Sequence, residues 1–153
     1  MKENIIGREQ EIEKLENYIS SRKSEFIAIY GRRRVGKTFL VKELFENRFA
    51  FRVTGKDNVT TKEQLASFSF ALNDQLGIEA DVTNWPEAFR LLQKALEKMP
   101  DGTKIIFFDE LPWFDTYASN FISALEHFWN DWAFYRSDIK LIACGSATTW
   151  MLN

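Results

Sequence analysis

Short apolar runs alternate along the chain with longer stretches in which apolar residues recur at helical spacing. The runs predict buried β-strands at residues 26–30, 49–54, 104–109 and 139–144. The periodic stretches between and around them predict α-helices at residues 9–19, 37–47, 61–75, 84–99 and 117–134. Strands that alternate with helices favour an α/β fold, a three-layer sandwich around a parallel sheet.

Turn and capping residues support several of these boundaries. Asn84 is a favourable N-cap, and Pro86 stands in the first turn that would follow it. Gly77 follows the apolar stripe of the third helix and predicts its end. Ile12, Leu15 and Ile19 share one face of the first helix, which predicts that this face is buried.

Composition mainly excludes certain kinds of site and partner. The 153 residues are 45% hydrophobic and 27% charged, as in ordinary soluble domains, and the net charge of −2 gives no indication of nucleic-acid binding. The single cysteine, Cys144, excludes an internal disulfide and a multi-cysteine metal site. No apolar run approaches the length of a membrane span and no signal-peptide core precedes the first helix, so we expect a cytoplasmic protein without membrane contact.

The most specific chemistry lies between the first strand and the second helix. Residues 31–38 read GRRRVGKT, the pattern G-x-x-x-x-G-K-[ST] of a phosphate-binding loop. Its glycines let backbone N–H groups curl around an anion at the N-terminus of a helix. The predicted nucleotide-binding residues of this segment are Gly31, Arg32, Arg33, Arg34, Val35, Gly36, Lys37, Thr38 and Phe39.

Two of these side chains have predicted roles of their own. Lys37 would reach the β- and γ-phosphates and assist catalysis, and the Thr38 hydroxyl would stand where Mg²⁺ binds. The three arginines could suggest nucleic-acid binding, but we assign them phosphate-adjacent or solvated roles.

A second candidate site follows the third strand. Asp109 and Glu110 end an apolar run about 70 residues beyond the glycine loop. Because the carboxyl ends of parallel strands form the ligand crevice of such sheets, Asp109 is predicted to hold Mg²⁺ across from Thr38, and Glu110 to polarise an attacking water. Trp113, just beyond, is assigned to packing, with a place in the crevice as the alternative.

The acidic pair also separates branches of the nucleotide-binding class. The chain lacks the Asn-Lys-x-Asp segment with which guanine-nucleotide switches usually read their base. An Asp-Glu pair instead resembles the ATPase branch, which inserts a strand between the loop strand and the acid strand. The 139–144 strand fits that place in a 5-1-4-3-2 order. Ser146 beyond it is then a candidate γ-phosphate sensor, with Thr148 or an ordinary polar turn as alternatives.

Taken together, these segments make the chain similar to the AAA-related, STAND-like ATPases of prokaryotes and archaea. The resemblance rests on Ile5-Ile6-Gly7-Arg8-Glu9, the glycine loop, the acidic pair and Cys144-Gly145-Ser146. It implies that Ile6, Gly7 and Arg8 pack near the adenine, although Arg8 could also be a solvated residue at a helix start.

The resemblance implies Mg²⁺-dependent ATP binding and hydrolysis. The alternative is a regulatory switch that binds ATP with little turnover. The family's fifth strand and helical lid do not follow residue 153, so we expect a fragment whose partners are nucleotide and a missing C-terminal domain, with a second copy in a homo-oligomer as a further candidate. The sequence supports ATP binding in both cases.

Overall fold

The computed structural model describes residues 9–31 and 37–146, and for Tyr30, Gly31, Lys37, Thr38 and Ser146 it describes the backbone alone. The β-strands are β1 Glu25–Gly31, β2 Phe49–Thr54, β3 Lys104–Asp109 and β4 Ile139–Ser146. The α-helices are α1 Glu9–Ser20, α2 Lys37–Phe45, α3 Thr61–Leu76, α4 Trp85–Glu97 and α5 Phe121–Asp131. Short 3₁₀ helices span Leu111–Phe114 and Ala133–Tyr135.

The strands form one parallel sheet in the order β1-β4-β3-β2. This is the predicted order for the strands present, with β4 inserted between the loop strand and the acid strand. The α/β fold class and its sheet topology are therefore confirmed.

Apolar layers cover both faces of the sheet. Along β3 the side chains alternate between them, so that Ile105 and Phe107 pack with α1 and α2, while Ile106 and Phe108 pack with α3, α4 and α5. Every residue of β3 is buried, which explains its near-continuous apolar run. The α1 stripe predicted from the sequence is buried in the first layer.

Aromatic rings fill the second layer. Phe108 and Phe89 stack at 5.9 Å between ring centroids, and Trp85 meets Phe121 edge to face at 4.9 Å. Such pairs add about 0.5–1.5 kcal/mol each beyond the area they bury. The rigid layer lies directly beneath the turn that follows β3, since Phe114 of that turn contacts Trp85 and Phe108.

Two helix ends match the capping signals, and one helix differs from its prediction. The Asn84 side chain accepts from the N–H of Glu87 to begin α4, and Gly77 ends α3 with a φ of 69°. The predicted 117–134 helix is wrong in length, because α5 spans only Phe121–Asp131. Asn120 before it has a φ of 62°, and Trp132 after it leaves helical geometry.

Two buried lysines organise the amino ends of β3 and β4. The Lys104 ammonium donates to the carbonyls of Pro100 and Gly102 and pairs with Asp138 at 2.9 Å. The hydrogen bond from Arg136, reinforced by Lys104, lowers the pKa of Asp138 to about 2. Burial lowers the pKa of the Lys140 ammonium, which donates to Ser21 nearby. These charges lie at the end of the sheet opposite the acidic pair.

Candidate functional site

The carboxyl ends of β1, β4 and β3 bring the predicted phosphate and acid segments to one edge of the sheet. Gly31, where the glycine loop begins, pairs with Ser146 at the end of β4. On the other side of β4, Phe108 pairs with Ala143, and Asp109 is the next residue. Two strand spacings therefore separate the loop strand from the acid strand, about 10 Å across the sheet.

The helix after the glycine loop begins where the sequence predicted. The backbone of α2 starts at Lys37, and its inner face is anchored by Leu40, Val41 and Phe45, all buried. Phe39, a predicted nucleotide-binding residue, has 47% of its surface exposed on this helix. Strand, loop and helix thus follow in the order that a phosphate site requires.

Asp109 closes β3 as a buried carboxylate. Only 6% of its surface is exposed, and it has interaction partners in the fold. Its backbone is fixed from the β2 side, where Thr54 is its partner in the sheet and the Gly55 N–H donates to its carbonyl oxygen at 2.9 Å. Carboxylate oxygens such as those of Asp109 are donors that Mg²⁺ prefers.

Glu110 leaves the strand in an unusual conformation. Its φ of 53° and ψ of 45° are left-handed, and the 3₁₀ turn of residues 111–114 begins directly after it. That conformation costs a non-glycine residue about 1–2 kcal/mol. The side chain is partly buried, and its Oε2 accepts a hydrogen bond of 3.1 Å from Nε1 of Trp113.

Gly55 allows the turn after β2 to lie against this acidic turn. A methyl group there would stand 2.5 Å from the Glu110 carbonyl oxygen and 3.1 Å from side-chain atoms of Trp113 and Phe114. The contact therefore requires glycine. Sequence reasoning did not identify Gly55 as a site residue, although a lone glycine directly after a predicted strand was the available signal.

Several predicted site residues lie outside the described part of the structure. They are Ile6, Gly7, Arg8, Arg32, Arg33, Arg34, Val35, Gly36 and Thr148, together with the side chains of Lys37, Thr38 and Ser146. Their roles stay predictions. Among the described residues, Asp109 ends β3, Glu110 directly follows it, and Phe39 lies on the helix after the loop.

The described residues contain neither a metal-ligand cluster nor a membrane-spanning helix. No group of three or more His, Cys, Asp or Glu side chains forms a metal cluster within residues 9–31 and 37–146. Over the same part of the chain, no helix is long and apolar enough to cross a membrane.

Fold and site together define the class of P-loop ATPase domains. The family model for an ATPase domain found predominantly in Archaea matches residues 5–153. The chain belongs to this family of ATPase domains, and nucleotide binding is its shared property. Association with the STAND-like group specifically remains a prediction.

Relatives at the level of sequence come from Methanocaldococcus jannaschii. An uncharacterised protein is 32% identical over 150 residues, covering 96% of this chain and 30% of the relative. An uncharacterised ATP-binding protein is 46% identical over 44 residues, covering 29% of this chain and 75% of the relative. The chain spans less than a third of the longer relative.

Solved structures share the fold. A Walker-type ATPase of Pyrococcus abyssi superposes with a TM-score of 0.63 at 21% identity, over 94% of this chain and 46% of that one. A Drosophila origin recognition complex structure bound to DNA has a TM-score of 0.60 at 17% identity, over 94% of this chain and 39% of that one. At these identities the likeness concerns the fold alone.

Proposed function

We propose that this chain is the Mg²⁺-dependent ATP-binding domain of an ATPase that hydrolyses the γ-phosphate bond. One observation supports this most strongly: an Asp-Glu pair ends β3, two strands from the strand that leads into the glycine loop. Family membership supports ATP as the nucleotide.

The binding part of the proposal assigns the phosphates to residues 31–38. Backbone N–H groups of the loop and the first turn of α2 would surround them, with the Lys37 ammonium adding a full charge. Thr38 and Asp109 would hold Mg²⁺, which neutralises phosphate charge when it is bound. Ile6, Gly7 and Arg8 would lie beside the adenine, and Phe39 near the nucleotide.

The hydrolytic part assigns one proton acceptor. Glu110 would accept a hydrogen bond from the attacking water and orient it in line with the leaving group. Ser146 would donate to the γ-phosphate from the end of β4. Positioning and charge neutralisation then supply most of the acceleration, as is usual for phosphoryl transfer.

Calorimetric titration of ATP with Mg²⁺ tests the binding part. Lys37→Ala should weaken binding by at least tenfold with little change in melting temperature, because one of the charges aimed at the phosphates is lost. Lys42→Ala, which removes an exposed charge from the same helix, is the matched control. Equal affinity of Lys37→Ala and wild type would contradict the phosphate-site assignment.

Phosphate release by the full-length protein tests the hydrolytic part. Glu110→Gln should retain ATP and lose turnover by about a hundredfold or more, within the range for loss of a general base. Glu126→Gln, an exposed site on α5, controls for the charge change. The alternative function, a switch that binds ATP with little turnover, predicts normal binding and background phosphate release already in the wild-type protein.

A further inference from the structure

We propose that Trp113 is a positioning residue for Glu110, and that its indole N–H fixes the carboxylate at the end of β3. The inference rests on the proposed function for the role of Glu110, but the hydrogen bond itself can be tested independently. Trp113 Nε1 donates to Glu110 Oε2 at 3.1 Å, within the 3₁₀ turn that follows the acids.

The carboxylate needs such an anchor because of its place in the chain. Glu110 is the first residue beyond β3, so no strand pairing fixes it, and its backbone is left-handed. A glutamate side chain with free rotamers would spread its carboxylate over several positions. The bond to Oε2 would hold the group, and Oε1 is the oxygen that we assign to accept from water.

The backbone of Trp113 is itself held by α3. Gln64, fully buried in the first turns of that helix, donates from Nε2 to the Trp113 carbonyl at 2.9 Å. The same amide group donates to the Lys56 carbonyl at 2.6 Å and accepts from the Lys56 N–H at 3.1 Å. One buried side chain thereby links the turn after β2 to the turn after β3.

Two further contacts link the turn after β3 to α3 and to the turn after β2. The hydroxyl of Thr61, the first residue of α3, is hydrogen-bonded to that of Thr116 just beyond the 3₁₀ turn. Gly55 lets the β2 turn approach Glu110 and Trp113 closely. The backbone of Trp113 is therefore held at its carbonyl and in the segment that follows it, which supports the indole N–H as a positioned donor.

The functional test compares two tryptophans that each donate to a glutamate. Trp113→Phe keeps an aromatic ring and removes the donor, while Trp132→Phe removes the equivalent 3.0 Å bond to Glu97 on the exposed surface. In the full-length protein we expect Trp113→Phe to lower kcat about tenfold with KM for ATP within about twofold, because misplacing a catalytic group by about an ångström costs up to about a hundredfold. Trp132→Phe should leave both constants unchanged. Equal kcat in Trp113→Phe and wild type would overturn the proposal.

The second measurement does not depend on turnover. An amide-correlation NMR spectrum of ¹⁵N-labelled protein contains five indole N–H signals, one for each tryptophan. Glu110→Ala should shift the Trp113 signal and speed its hydrogen exchange about tenfold. The Trp132 signal should stay in place. Glu97→Ala should shift the Trp132 signal and leave the Trp113 signal in place. A Trp113 signal that Glu110→Ala does not move overturns the hydrogen bond. If the wild-type protein releases no phosphate, the hydrolysis proposal fails, and this measurement still decides whether Trp113 holds Glu110.

Discussion

Replacing Gly55 by alanine should disturb the acidic pair through a backbone contact. The added methyl would lie 2.5 Å from the Glu110 carbonyl oxygen, and ordinary contact begins near 3.4 Å, so the two turns must separate by about 0.9 Å. The opposing atom belongs to the backbone, and the buried aromatic layer supports it from below. A rotamer change cannot relieve this overlap.

The change in stability expected for Gly55→Ala is the sum of two opposing contributions. Overpacking at a well-packed site costs about 1–3 kcal/mol. Alanine also restricts the unfolded chain, which returns about 0.4–1 kcal/mol where its backbone conformation is allowed. The expected net loss of stability is about 1–2 kcal/mol, or roughly 2–8 °C in melting temperature for a domain of this size. Glu110 moves with its carbonyl, so turnover should fall about tenfold or more.

Thermal denaturation and phosphate release on the same preparations provide the assay, with Gly77→Ala as the control. Gly77 has a φ of 69° and open space around it, so alanine there costs about 1–2 kcal/mol from its left-handed backbone and touches no neighbour. Gly77→Ala should therefore lose stability and keep wild-type turnover. If Gly55→Ala matches wild type in both melting temperature and turnover, the close approach of the two turns does not constrain Glu110.

Three further predictions concern other parts of the molecule. The pKa of Asp138 is about 2 in the fold and near its usual 3.8 when unfolded, so the carboxylate stabilises the protein above about pH 4 and this contribution is lost as the pH falls toward 2. Denaturation between pH 5 and 2 should show a shallower acid limb in Asp138→Asn than in wild type, and parallel curves would contradict the ion pair's contribution. Within the described sheet β1 pairs only with β4, so light scattering of this chain should report self-association that rises with concentration, whereas a monomer with protected β1 amides would mean that the edge is covered. Competition titration should find ATP preferred to GTP or bound equally well, and strong GTP preference would contradict the ATPase assignment.

The fold could be predicted because its strands are buried on both faces. Over residues 105–108 and 141–144 the side chains alternate between two apolar layers, so no polar position interrupts the run, and that pattern has few alternatives. The boundaries of α5 could not be predicted in the same way. Apolar spacing continues through residues 117–134, but Ala118 and Asn120 adopt positive φ and the backbone turns at Trp132. Side-chain periodicity does not report such backbone turns.

The candidate site also has features that could be predicted from the sequence and features that could not. A glycine loop and an acidic pair are local patterns, and both were visible in the sequence. The link from Gln64 to Trp113 spans 49 residues. Together with the bonds from Gln64 to Lys56, it joins two turns whose sequences give no sign that they meet. Gln64 in particular resembles an ordinary polar position near a helix start, and only its complete burial reveals that it bonds to both turns.

The left-handed backbone at Glu110 belongs to the local acidic pair, but contacts between residues distant in the sequence surround it. Its cost of about 1–2 kcal/mol is comparable to what one or two well-formed hydrogen bonds contribute, and Gln64 makes three bonds across the adjoining turns. The sheet therefore fixes Asp109 by strand pairing, whereas α3 and the turn after β2 fix Glu110 by side-chain and close backbone contacts. Any displacement of the first turns of α3 should consequently reach the proposed water-orienting carboxylate before it reaches the proposed metal ligand.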